Sequence, residues 1–171
     1  MAGLKEAIQD LLTKCAAIDG ILHTAIWNNQ LNYEEEGKLY DYPKPAIFIE
    51  ANAEVWQPVG RGYSQSDMTI SIHLLHEQYD ATDGTFEQNL DVFDLIAGII
   101  KVLSGYKPSQ CSNLMKIGEK QDSAHTQTYH YIVTFACSII DTAGSVDAQG
   151  IEQLKAPPTT LIQNVIIQHG T

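Results

Sequence analysis

Six histidines and a run of carboxylates are the residues of this chain that could do chemistry. His73 and His76 look like a pair, but at i, i+3 on a strand they point to opposite faces and cannot share a metal without a bulge. His125 and His130 flank a strand of a predicted hairpin, and together with Asp122 they could supply imidazole and carboxylate ligands. Ordinary polar-face histidines are the plainer reading. Glu34, Glu35 and Glu36 could bind a cation. They could equally be a solvated acidic loop, or a loop facing a channel or a partner. Acid–base catalysis needs two carboxylates in contrasting environments, and the sequence identifies no such pair. Gly60-Arg61-Gly62 lacks the spacing and the following helix of a phosphate loop. There is no nucleophile elbow and no Cys-x-x-Cys. Arg61 stands out among only ten basic residues. It lies near Trp56 and Tyr63, and these three residue types favour interface anchors. An ordinary turn with incidental aromatics explains them as well. No catalytic residue, cofactor site or metal site is assigned.

The clearest helix runs from Thr85 to Gly105. Thr85 and Gln88 form a capping box, Lys101 sits in the last turn, and Gly105 suits a left-handed C′ position. Phe86, Leu90, Phe93, Ala97 and Ile100 make one apolar stripe. Val92, Leu95, Ile99 and Val102 make a second. A one-sided surface helix needs only one stripe, so this helix is expected to be buried on two sides, by a sheet and by something else.

A leading amphipathic helix over residues 3–18 carries Leu4, Ile8, Leu11, Cys15 and Ile18, with Asp10 and Lys14 as an i, i+4 pair. Strands are expected at Ile21–Trp27 and Ala46–Glu50, joined by a long polar loop over Asn28–Pro45 that is functional or mobile. Ala53–Val59 continues the sheet. Met68–His76 alternates as a half-buried strand. Leu114–Gly118 and Tyr129–Asp141 pair as a hairpin. The order predicts an α+β domain over 1–141: a mainly antiparallel sheet of four or more strands with two helices packed on one face. Residues 142–171 read as a linker and a β-rich C-terminal extension. Leu161, Val165 and Ile167 are candidates to complete the chain's own sheet or to add an edge strand to a neighbour.

The length fits one domain with a sizeable core, and a hydrophobic fraction of 44% is that of a globular protein. The formal net charge of -11 argues against gripping nucleic acid, which requires Lys and Arg against phosphates. It suits a surface that DNA slides past. Cys15, Cys111 and Cys137 are odd in number and show no metal spacing, so they read as small buried hydrophobes of a reducing compartment. No signal peptide is evident, and no apolar run approaches the ~20 residues that span a bilayer. The expectation is a soluble protein made in the cytoplasm, with no membrane partner.

The pattern as a whole resembles the small tail terminator and head-to-tail joining proteins of tailed bacteriophages. KPAIFIE at 44–50, SQSDMTISIHLL at 64–75, FEQNLDVFDLIAGIIKVLSG at 86–105 and NLMKIGEKQDSAHTQTYHYIVTFACSIID at 113–141 carry it. The shared plan is a leading helix, a strand after a Pro, and a strand with a Gln and an Asp before alternating apolars. A helix ending in Leu-x-Gly and a hairpin ending in an Asp complete it. It covers residues 3–141, and the extension departs from it. The resemblance implies a virion protein without catalytic residues. It would form a ring, six-fold in the family, at the head-proximal end of the tail. There it would end tail-tube polymerisation and meet the tail tube protein and a neck or head-completion protein. Genomic DNA would pass through its lumen without specific binding. The alternatives are another neck or tail-completion protein, a non-viral adaptor using the same sheet, or a small-ligand or metal-binding ferredoxin-like protein.

Overall fold

The computed structural model describes residues 2–31, 42–77, 86–123 and 128–144. Glu34, Glu35, Glu36, Thr85, His125 and the extension with Leu161, Val165 and Ile167 lie outside them.

The fold is α+β. Among the described residues, six strands make one mixed sheet with two helices. The strands are β1 (His23–Ile26), β2 (Ala46–Asn52), β3 (Gln57–Gly60), β4 (Tyr63–Glu77), β5 (Met115–Asp122) and β6 (Thr128–Asp141). Their order is β1-β2-β4-β6-β5, with β3 paired to β4 beyond the end of β2. All pairings are antiparallel except β1–β2, where His23 lies opposite Ala46 and Ile26 opposite Ile49. That parallel pair explains the long segment between Trp27 and Pro45. Parallel neighbours need a crossover of a dozen or more residues, whereas a hairpin needs two. The segment is therefore a structural connection, whatever else it does.

Side-chain alternation sets the two faces of the sheet. Ile47 and Ile49 of β2, Met68, Ile70, Ile72 and Leu74 of β4, and Val133, Phe135, Cys137 and Ile139 of β6 point one way. Helix α1 (Ala2–Ala16) and helix α2 (Phe86–Leu103) cover that face and close the main core. Strand β4 begins at Tyr63, earlier than its apolar alternation predicts. The polar stretch Ser64–Asp67 is held in strand form by its pairing with Asp141–Ser138 of β6. Gln57–Gly60 does not continue β2. It turns back along β4 as a tight hairpin, in which Gly60 faces Tyr63 and both turn residues have positive φ, 53° at Arg61 and 80° at Gly62. Positive φ at both positions matches the twist of the flanking strands. The β5–β6 hairpin forms as expected, with a register shift between Lys116 and Gly118.

Both helices bury part of the line their sequence suggests and add neighbours to it. On α1 Leu11, Cys15 and Ile18 are buried as expected, and Ala7 joins them. Leu4 and Ile8 are only partly covered. Asp10 and Lys14 do not pair with each other. Asp10 Oδ2 accepts from the Ser109 backbone N–H at 2.8 Å, and Lys14 Nζ lies 5.1 Å from the Tyr106 ring centroid. On α2 the buried line is Val92, Ile96, Ile99 and Leu103. On the other stripe Leu90 is 44% exposed and Phe93 53%, while Ile100 packs against the main core. Among the described residues nothing covers Leu90 and Phe93. Its end is as read: Gly105 has φ +76° and donates its N–H to the Leu114 carbonyl at 2.9 Å. No described helix is long and apolar enough to cross a membrane.

Candidate functional site

The face of the sheet opposite α1 and α2 carries a second, smaller core. Leu31, Tyr42, Ala46, Phe48 and Leu75 are buried there, with Ala25 and Trp27 against them. Trp27, Leu31 and Tyr42 come from the two described ends of the crossover segment. The Trp27 backbone N–H donates to the Ile49 carbonyl at 2.9 Å. This fixes the indole over the sheet just past the end of β1.

Beneath that indole lies a row of titratable side chains. The Trp27 ring stacks on His73 with centroids 4.0 Å apart and planes 8° from parallel, and it reaches His130 at 5.6 Å and 19°. His73 Nδ1 is 3.0 Å from His130 Nε2. The outer nitrogens face carboxylates: His73 Nε2 is 3.3 Å from Glu50 Oε2, and His130 Nδ1 is 3.3 Å from Asp122 Oδ2. Register explains the row. Asp122 lies directly opposite His130, His73 is diagonal to His130, and Glu50 is diagonal to His73. One residue from each of β5, β6, β4 and β2 thus falls on one line across the sheet.

The His73–His130 contact needs one N–H between its two facing nitrogens. Burial weighs against charging His73, which is 5% exposed: desolvation holds its imidazole below the ordinary value. Glu50 and Asp122 pull the other way, and Lys120 reinforces the burial. The nitrogens that a shared metal would need face each other, and no three described His, Cys, Asp or Glu side chains converge on a cation site.

The crossover segment is latched to the sheet beside this row. Lys44 Nζ donates to Thr128 Oγ1 at 2.9 Å and lies 5.5 Å from the Tyr42 ring centroid. His23 stacks on Tyr42, with centroids 5.9 Å apart.

The other sequence-predicted residues do not join a site. His76 does point away from His73, and its Nδ1 lies 3.0 Å from the Glu77 carbonyl. Trp56 packs against the main core, Tyr63 is half-buried at the start of β4, and Arg61 is exposed at the hairpin tip. No described ring stacking or cation–π contact joins Arg61 to either aromatic. Sequence reasoning missed Trp27 and Glu50. Glu50 gave one signal: it is the charged end of an apolar strand and shares a face with Phe48. Cys15, Cys111 and Cys137 are buried, as expected. A hydrogen bond between Cys111 and Cys137 pushes the Cys137 thiol up.

Two apolar surface features stand apart from this row. One is the open stripe of α2. The other is a groove of about 440 Å³ between α1 and β1, lined by Leu4, Ile8, Leu12 and Ile26 with Lys5 and Gln9 at its lip. Beyond the groove, Leu22 of the approach to β1 and Met115 and Ile117 of edge strand β5 are more than half exposed.

No family model matches this chain, and no curated protein matches it.

Proposed function

We propose that this protein is a structural assembly protein that closes a ring with copies of itself. The reading follows the resemblance to tail terminator and head-to-tail joining proteins. It places the ring at the head-proximal end of a phage tail, between the tail tube protein and a neck or head-completion protein. One observation carries it: among the described residues nothing covers Leu90 and Phe93 of α2, which are 44% and 53% exposed. A helix apolar on two sides needs a second packing partner. A net charge of -11 supports the further point that DNA would traverse such a ring without binding. No residue is assigned a catalytic role.

Light scattering on a sizing column across a concentration series tests this. The expected result is a closed species of about six copies, either constant or growing in as concentration rises. A chain that stays monomeric throughout, and does not cap tail tubes, would sink the proposal.

A further inference from the structure

We infer that the open stripe of α2 in one copy of this chain seats in the α1–β1 groove of the next copy, so that neighbours meet head to tail. This rests on the ring-forming reading and deepens it by naming the two halves of the contact.

The stripe is the convex half. Leu90, Phe93 and Ala97 recur at helical spacing and share one exposed side of α2, above Ile100, which packs against the main core. Leu90 and Phe93 are 44% and 53% exposed, and Ala97 between their turns keeps the ridge shallow. The groove is the concave half. Leu4, Ile8 and Leu12 lie at i, i+4, i+8 along α1, with Ile26 of the edge strand as its far wall. A ridge of one helix packing into the furrow beside another is the ordinary geometry of helix contact. An apolar helix face laid in an apolar groove is also an ordinary mode of recognition.

Charge selects the second copy as the occupant. Asp91 and Asp94 are exposed on α2, and Asp94 borders the stripe. Lys5 stands at the lip of the groove. Two copies of an acidic chain repel each other at long range, so a local match of opposite sign sets the register of approach. The two surfaces are different patches of the molecule. The contact is therefore heterologous, and it leaves each copy with one half unused until a ring closes.

Two variants test the pairing. Phe93→Asp spoils the stripe, and Lys5→Glu with Ile26→Glu spoils the groove. Phe93, Lys5 and Ile26 are all exposed, and matching far-UV spectra and unfolding midpoints verify that each variant is folded. Each alone is expected to stay monomeric at concentrations at least about tenfold above those at which the unaltered protein assembles. Mixed in equal amounts, they retain a single good contact between them: the intact stripe of the groove variant in the intact groove of the stripe variant. The mixture is expected to stop at a dimer. A mixture that stays monomeric, or either variant forming the normal ring, would overturn the inference while leaving the ring standing. A groove variant that fails beside a stripe variant that assembles would show that another segment, such as residues 151–171, fills the groove. An unaltered protein that is monomeric at every concentration would remove the ring reading, and this inference with it.

Discussion

His73 Nδ1 and His130 Nε2 face each other at 3.0 Å, on neighbouring strands and under one indole. Each imidazole has a carboxylate within 3.3 Å of its outer nitrogen. Protonating His73 itself would charge a buried ring.

Acid should therefore weaken the fold through this row. His73 is held below its ordinary value of 6.5, first by burial, against the pull of Glu50 and Asp122 and with the help of Lys120. The unfolded chain then binds a proton that the folded chain resists. Stability is full above pH 6.5 and falls as pH drops through 6.5 toward the folded value. Urea midpoints of the unaltered protein should fall between about pH 7.5 and pH 5.5, and those of His73→Gln should fall less. An equally steep fall in the variant would show that His73 does not drive it. In a Trp56→Phe background, Trp27 emission of the folded protein should hold as pH first drops through 6.5 and change only at lower pH, where the cation forms against its ring face.

The centre of the main core predicts a large loss. Phe135 is fully buried on β6, among Ile72 and Ile70 of β4 and the two helices. Phe135→Ala should cost about 3–5 kcal/mol in denaturant unfolding. Phe93→Ala, on the open stripe of α2, should move the monomer by less than about 0.5 kcal/mol. A comparable loss at both sites would mean that the stripe is covered within one chain.

How much of this was legible in the sequence depended on whether local pattern or tertiary placement decided it. The alternation of Met68 to Leu74 and of Val133 to Ile139 marked the core face of β4 and β6, because the side-chain period of a strand is fixed by geometry. Gly105 marked the end of α2 for an equally local reason. The parallel place of β1 beside β2 was not legible, since no local period records which way a crossover returns. The same gap hid the site: Trp27 meets His73 because the start of the crossover lies on the face opposite α1 and α2. Ala7 is buried and Ile8 only partly, a difference that no apolar period records.

Gly105 offers a test of backbone strain alone. Its φ is +76°, and a Cβ built there would meet nothing within 4 Å. Gly105→Ala should thus lose stability through conformation without any clash, by about 1–2 kcal/mol. Gly105→Asn should lose less, because Asn tolerates the left-handed region better. Equal losses for both variants would point to a cause other than φ.

Two of the thiols should be silent in the folded protein. Burial pushes Cys15 up to about 12, and the hydrogen bond between Cys111 and Cys137 raises Cys137 and lowers Cys111. Since the thiolate is the reactive form, a thiol reagent at about pH 8 should label Cys15 and Cys137 slowly in buffer, Cys111 ahead of them, and all three quickly in denaturant. Labelling of Cys15 or Cys137 before Cys111 in buffer would overturn this order.

Truncation separates folding from assembly. Every residue of both described cores falls between Ala7 and Ile139, and β6 ends at Asp141. Deleting residues 151–171 should then leave the unfolding midpoint within a few degrees of its original value. If the run that holds Leu161, Val165 and Ile167 bridges to a neighbouring subunit, the same deletion should raise the concentration needed for ring formation by about tenfold or more. A truncated protein that assembles normally would free the run from any bridging role. One that fails to fold would place it in the domain's own core.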